Sequence, residues 1–368
     1  MKRMLLTLAV LLLSSPILLA QEDGYEPGAR TGLVVSRIDR NAYRDWESKK
    51  SGFDEGDTAL YSVFEGDITP ELFFCVSNVW LTDEPIDLYK DTGRPNSFNW
   101  LNMAYLRYDF PSNIYVQAGK GLLFAGSMEN DEYDYDLNCE RCSAIGDLCS
   151  SIWYNFPIYQ WGVNVGWYTP DERTIISAQV ATSPYGKKFF YKGMYSFGLE
   201  WRGEYGPIQN MWQISLVATE RGKYTPLVSL GQSYSPSDNM KITLDVFNRV
   251  CDEYLHKGIS AHGLVSWYPI PEKLEIEGKV GYEHTKDEVD FNYDSSEKSH
   301  DDEEEKAEAG SDVSPLNAWV VGGGLSWYPL RDSKDLRLHA YFSHNELSKR
   351  NSFSIGVTYY LKFYLSRK

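Results

Sequence analysis

Residues Met240–Glu283 read MKITLDVFNRVCDEYLHKGISAHGLVSWYPIPEKLEIEGKVGYE, and their pattern decides the fold class. In the first run, Met240, Ile242, Leu244, Val246 and Val250 fall on one face. Lys241, Thr243, Asp245 and Arg249 fall on the other, with Phe247. In the last run, Leu274, Ile276, Val280 and Tyr282 oppose Lys273, Glu275, Glu277, Lys279 and Glu283. A period of two is the signature of a strand with one apolar and one polar face. A longer polar connection near 251–257 comes first, and the tight turn Pro269-Ile270-Pro271-Glu272 follows it.

The same reading extends outward in both directions. Trp212, Ile214, Leu216 and Ala218 oppose Gln213, Ser215 and Thr219, and Leu336, Leu338, Ala340 and Phe342 oppose Arg337, His339 and Ser343. Sixteen segments result: 32–40, 57–65, 71–80, 98–110, 113–123, 158–168, 173–182, 194–205, 210–219, 224–235, 240–250, 258–268, 273–285, 317–328, 336–345 and 351–364. Ser150–Phe156 has strand character too, but counting it would invert the sorting of every later connection, so it is assigned to a loop. Short connections such as Gly66-Asp67, Pro111-Ser112-Asn113, Pro170-Asp171-Glu172 and Pro236-Ser237-Asp238 alternate with longer ones at 41–56, 81–97, 124–157, 183–193, 220–223, 251–257, 286–316 and 346–350. A soluble sandwich shares the alternation of side chains but has no reason to sort its loops. A transmembrane antiparallel up-and-down β-barrel does, with tight periplasmic turns and larger outer loops, and an even strand number puts both termini on the periplasmic side.

Segments entering the short turns end in aromatics and proline: Tyr108-Asp109-Phe110-Pro111, Trp167-Tyr168-Thr169-Pro170, Ser266-Trp267-Tyr268-Pro269 and Ser326-Trp327-Tyr328-Pro329. Trp and Tyr collect at the membrane–water boundary because one end of the ring is apolar and the other polar. The expectation is an aromatic girdle at the periplasmic rim. The competing reading is a β-meander whose core closes with aromatics.

Composition agrees. The 368 residues carry 36 basic and 52 acidic side chains, a net charge of −16, which excludes the basic footprint of a nucleic-acid binder. Beyond the start of the chain no window offers the roughly 18 apolar residues of a spanning helix. With 42% hydrophobic residues, disorder is excluded as the main state. Met1-Lys2-Arg3, the apolar run Met4–Leu13 and Leu18-Leu19-Ala20 read as a secretory signal peptide over 1–20, cleaved after Ala20. Residues 21–368 are then the barrel, exported to a Gram-negative outer membrane.

Tyr105–Asn130 reads YLRYDFPSNIYVQAGKGLLFAGSMEN, with Phe64-Glu65-Gly66-Asp67-Ile68-Thr69-Pro70 upstream. A strand, a tight Pro turn, a strand with Val116-Gln117-Ala118-Gly119-Lys120, then Phe124-Ala125-Gly126 resembles the phosphate-selective porin O and P family. The match covers about 60 residues, with architectural agreement beyond it. The resemblance implies sixteen strands, a homotrimer, and a long constriction loop after the fifth strand folded into the lumen. That family selects anions with basic residues. Here the corresponding loop carries Glu129, Asp131, Glu132, Asp134, Asp136 and Asp147 against Arg141 alone. The fold and porin role therefore carry over, and phosphate specificity does not.

Pore-lining candidates follow from phase: Arg107, Lys241, Asp245, Arg249, Lys273, Glu275, Glu277, Lys279, Arg337 and His339 each oppose an apolar stripe. An Arg or Lys facing lipid at mid-membrane costs about 2–4 kcal/mol, so these side chains belong inside. The carboxylates Glu129, Asp131, Glu132, Asp134 and Asp136 either ring the pore and favour cations, form a solvated loop, or hold Ca²⁺, though their spacing matches no EF-hand. Residues 286–316, including Asp301-Asp302-Glu303-Glu304-Glu305, read as an acidic outer loop that could bridge through divalent ions to lipopolysaccharide. Cys139, Cys142 and Cys149 favour a disulfide over a metal site, with pairing open; Cys75 reads as a small apolar strand residue.

No HExxH or GxSxG motif occurs, and Gly322-Gly323-Gly324 lies mid-strand with no following Lys. Ser343 and His344 are adjacent strand residues pointing to opposite faces, a poor catalytic pair. The expected function is a water-filled channel for passive diffusion of small hydrophilic solutes or ions, cation-leaning or weakly selective, without cofactor or enzymatic activity. The alternative is an adhesion or surface-structural barrel with a plugged lumen. Outer-membrane lipid and lipopolysaccharide are its surroundings.

Overall fold

The computed structural model describes residues 30–54, 58–81, 101–128, 159–184, 186, 193–248, 258–285, 317–331, 333–346 and 349–365. The signal peptide, the loop carboxylates Glu129–Asp136, Cys139, Cys142, Cys149, Arg249 and the acidic segment 286–316 lie outside them. The strands are β1 (Arg30–Asp45), β2 (Ser51–Asp54), β3 (Ala59–Thr69), β4 (Leu72–Leu81), β5 (Leu101–Phe110), β6 (Ile114–Leu122), β7 (Tyr159–Tyr168), β8 (Thr174–Thr182) and β9 (Tyr195–Tyr205). They continue as β10 (Ile208–Glu220), β11 (Lys223–Ser237), β12 (Met240–Asn248), β13 (Gly258–Ile270), β14 (Leu274–Thr285), β15 (Asn317–Trp327), β16 (Leu336–Asn345) and β17 (Arg350–Leu365).

From β3 onward each strand pairs antiparallel with the next, and β1 pairs with β17 from Arg30↔Leu365 to Asp45↔Arg350, closing the sheet. β2 and β3 occupy one lane beside β1: Arg44↔Ser51 heads the upper pairing, and Arg37↔Ala59 the lower. The seventeen strands therefore make a closed barrel of sixteen lanes. Where that lane breaks, Thr58 accepts the backbone N–H of Asp39 at 3.2 Å.

Three expected boundaries move. Residues 41–45 continue β1 instead of opening a loop, because β2 and β17 flank them and satisfy their backbone groups. Gly66-Asp67 is not a turn: β3 runs on to Thr69, and the reversal is Thr69–Leu72, where Thr69 Oγ1 accepts the N–H of Leu72 at 3.2 Å. Pro70 has no N–H to lose there. The outer connection at 220–223 shrinks to Arg221-Gly222, with Gly222 at φ 80°, because β10 and β11 are long and a bulge lies between Ala218 and Glu220. Loop sorting thus holds as a tendency and fails at this hairpin.

Alternation separates two surfaces. Leu106, Val165, Ile214, Leu230, Leu244, Ile276, Val321 and Ile355 are exposed on the outside, the surface that a bilayer covers. Aromatics bound this band at both ends: Trp167, Tyr205, Trp267 and Trp327 toward the proline turns, Trp80, Tyr224 and Trp319 toward the longer connections. The Trp-Tyr pairs split across the wall. Trp327 is 49% exposed and joins the girdle, whereas Tyr328 is 1% exposed and turns inward to Glu275. Non-glycine residues in the left-handed region, Asn113, Glu172 and Glu272, sit at three of the turns.

Candidate functional site

Beyond Leu122 the chain leaves the wall of β6, and residues 123–128 lie buried across the inner faces of β8 to β12. A ladder of wall side chains holds their backbone. The N–H of Phe124 donates to Gln179 Oε1 at 3.0 Å, that of Gly126 to Ser229 Oγ at 2.8 Å, and that of Ser127 to Gln213 Oε1 at 2.9 Å. The N–H of Met128 donates to Asp245 Oδ1 at 3.0 Å, and Ser215 donates to the Phe124 carbonyl at 2.6 Å. Leu123 and Ala125 pack against Ala181, Val217, Leu227 and Phe247, so an apolar patch on the inner wall seats the segment. A Cβ on Gly198 would meet Phe124, and one on Gly231 would meet Ser127, Asp245 and Met128. Ser127 itself has φ 50°, a conformation that non-glycine residues keep only where surroundings enforce it.

The residues expected inside do not share one setting. Asp245, at 4% exposure beside Leu244 at 57%, is on the inner face, but its carboxylate is engaged by the inturned segment. Glu275, Glu277, Lys279, Arg337 and His339 are also buried on the inner face. Glu275 accepts from Tyr328 at 3.2 Å and Glu277 from Ser266 at 3.2 Å, while His262 Nε2 stands 3.8 Å from Glu283. Lys241 is half-buried. Lys273 lies at the rim, donating to the carbonyls of Leu330 and Arg331 in the β15–β16 turn.

Arg337 and His339 belong to a cluster that spans the seam of the barrel. Arg37 Nε donates to Asp39 Oδ2 at 2.8 Å, and His339 Nε2 lies 2.8 Å from Asp39 Oδ1. The Asp39–His339 contact passes over Gly356 of β17, where a Cβ would collide with both side chains. Residues some three hundred positions apart in sequence meet here.

Arg107, on β5, belongs to another sector of the wall. Its guanidinium is 4.4 Å from the centroid of the Tyr115 ring, donates to Tyr168 Oη at 2.6 Å and pairs with Asp109 at 2.6 Å. On β9, Arg202 pairs with Glu200 at 2.7 Å, and Glu200 also accepts from Gln213 at 2.5 Å. These side chains border a cavity of about 330 Å³ between the inturned segment and the proline-turn end. The inner wall is not uniformly polar: Val63, Cys75 and Met103 form a buried apolar cluster with Leu33, Phe73, Tyr105 and Tyr159 against it.

A search for charge in inward phase does not single out Gln179, Gln213, Ser215 or Ser229, and the charged pair Arg37–Asp39 on β1 is missing from the candidates as well. The available signal was a run of short polar residues and glycines in inward phase on successive strands, Gly198 and Gly231 among them. Small residues there leave space for a second layer of chain.

No family model matches the chain, and no curated protein matches it. Solved structures do. The outer membrane channel DcaP of Acinetobacter baumannii is 11% identical, with TM-score 0.57, over 92% of this chain and 99% of that one. OmpF of Salmonella typhi, in complex with daunomycin, is 10% identical with TM-score 0.59 over 92% and 99%. A mutant of the Rh. blastica porin is 11% identical with TM-score 0.55 over 90% and 99%. At these identities what is shared is the fold, and it is the fold of the bacterial outer-membrane porins.

Proposed function

We infer that this chain is an outer-membrane channel through which small hydrophilic solutes diffuse passively. The observation that carries the reading is the combination of an apolar, girdled exterior with an inner face where a segment of chain is held by Gln179, Gln213, Ser229 and Asp245. A barrel serving only as a surface anchor has no need to build a ladder for an inturned segment. Residues 1–20 act as the leader that exports it, and the first residue of the mature protein by mass spectrometry tests that assignment.

Selectivity is cation-leaning or weak. Three of the described wall cations have close carboxylates: Arg37 with Asp39, Arg107 with Asp109, Arg202 with Glu200. Opposite charges this near cancel much of each other's field at the distance of a passing ion. Asp39, Asp245, Glu275, Glu277, Lys279, Arg337 and His339 then shape the wall without giving it a single sign. The acidic stretch Glu129–Asp136 adds negative charge beyond Met128, and a homotrimer is the assembly that the family resemblance implies.

Planar-bilayer recording tests the whole reading. Steady ohmic steps are expected, with a reversal potential in a potassium chloride gradient on the cation side or near zero, and no block by low phosphate. Absence of conductance from folded protein would remove the channel. A clear anion preference would restore the selectivity of the phosphate-selective family.

A further inference from the structure

The recess beneath the inturned segment has a volume of about 330 Å³, at the lower end of the roughly 300–1,000 Å³ typical of small-molecule pockets. Its two guanidiniums do not make it an anion site. Arg107 is answered by Asp109 at 2.6 Å and Arg202 by Glu200 at 2.7 Å, so two cations face two carboxylates. Its amides are better placed to receive a guest. Gln117 on β6 and Asn164 on β7 are direct register partners, both line the recess, and neither side chain has a hydrogen-bond partner among the described residues. Each carries a donor and an acceptor side by side. Met103, Phe124 and Met211 supply an apolar wall to the same space.

We propose that this recess is a binding subsite for a neutral, hydroxyl-rich solute of about monosaccharide size. Such a molecule presents adjacent hydroxyls that both donate and accept, together with apolar C–H faces. The open amides of Gln117 and Asn164 and the paired Arg202–Glu200 match the hydroxyls; the two methionines and Phe124 match the C–H faces. A phosphate or carboxylate would have to displace Asp109 or Glu200 from its guanidinium, and gains little by doing so. A neutral solute leaves both pairs intact. The inference rests on the channel reading, for which it names the solute class.

The test uses the full chain folded in detergent, titrated calorimetrically with methyl glucoside and separately with inorganic phosphate, beside bilayer recordings of the same preparations. Saturable, weak binding of methyl glucoside is expected, with Asn164→Ala and Gln117→Ala each weakening it about tenfold, the scale of one or two lost hydrogen bonds. Heat-modifiable migration on gels confirms that each variant is folded. Glu200→Gln leaves the recess with one more net positive charge, so phosphate binding should appear that the parent lacks. Phosphate binding by the parent as tight as that of the glucoside would overturn the proposal, as would glucoside binding indifferent to both amides or absent altogether. Normal conductance without glucoside binding sinks the subsite alone; glucoside binding without any conductance upholds the subsite and sinks the channel.

Discussion

The seam of the barrel and the wall of the recess are built from the same local device, a basic and an acidic side chain two residues apart on one strand. On β1 it is Arg37–Asp39, with side chains 1% and 0% exposed; on β5 it is Arg107–Asp109, at 30% and 41%. At the seam the carboxylate is shared. Arg37 holds one oxygen and His339 the other, and Gly356 is small so that they can meet. In the recess Asp109 serves Arg107, whose flat guanidinium also lies against Tyr115. Two pairs with one sequence spacing are thus a closure element in one place and a solvated wall in the other. Burial is what separates them, because removing one partner from a buried pair strands the other charge without water.

That contrast sets the largest expected effect. Asp39→Ala removes the carboxylate that Arg37 and His339 share in the buried seam. Its cost should be about 3–5 kcal/mol of unfolding free energy, read from urea unfolding in detergent, with loss of heat-modifiable migration where the seam opens. Gly356→Ala should be damaging too, because its Cβ would push Asp39 and His339 apart, and its effect should add to that of Asp39→Ala less than fully. Equal costs for Asp39→Ala and Asp109→Ala would break the comparison.

Next in size is the inturned segment, which forms one side of the recess. Asp245→Ala leaves the Met128 N–H buried without its acceptor, at a cost of about 1–3 kcal/mol. Asp245→Asn keeps an oxygen in place and should be nearly silent in stability. Gly231→Val pushes a side chain into the space of Ser127 and Met128 and should move the segment off the wall. Single-channel conductance is the sharper readout here: Gly231→Val should change it and its noise, while Asp245→Asn leaves it close to the parent value. Unchanged conductance in Gly231→Val would show that the segment does not border the ion path.

The strands were legible because lipid demands apolar side chains at every second position, as Leu244, Val246, Ile276 and Val280 display. Turn placement was less so. Gly66-Asp67 has turn composition, yet the next strand's pairing carries β3 past it to Thr69. The interior was the least legible part, for two physical reasons. A charged residue in inward phase announces itself against the lipid stripe, whereas Ser229 or Gln213 reads as generic wall. Contacts such as Asp39–His339 depend on barrel closure, which no local pattern encodes. The apolar inner cluster of Val63, Cys75 and Met103 also contradicts the simple rule that the lumen side is polar.

Smaller effects belong to the half-exposed pair. Arg107→Ala removes an ion pair open to water, a guanidinium–ring contact and the hydrogen bond to Tyr168, together about 1–2 kcal/mol. Arg107→Lys keeps the charge but loses the flat face over Tyr115 and the two-pronged contact with Asp109, so it should recover only part of the loss. Melting of the two variants with the parent checks the order. A lysine variant as stable as the parent would make charge alone sufficient.

The smallest effect is expected where the device is fully exposed, in the β7–β8 turn. Asp171 and Arg173 again stand two residues apart, 4.0 Å from each other, with side chains 60% and 67% exposed. What acts on Asp171 is its hydrogen-bonded neighbours: the Thr169 hydroxyl donates to it at 2.5 Å, and the Arg173 backbone N–H lies at 3.4 Å. Together they hold the carboxyl below its usual range, the hydroxyl contributing most. A depressed carboxyl stabilises the folded turn above the unfolded-state pKa and loses that contribution as pH falls through the folded-state value. Thr169→Ala should therefore raise the Asp171 midpoint toward the ordinary aspartate value of about 3.9, followed by carbon-detected NMR on aspartate-labelled protein. The variant should also flatten the small acid-side loss of stability, while Arg173→Ala moves the midpoint much less. If Arg173→Ala moved it as far as Thr169→Ala, the two-residue ion pair would be effective even in full solvent, and burial would no longer explain why the seam and the recess differ.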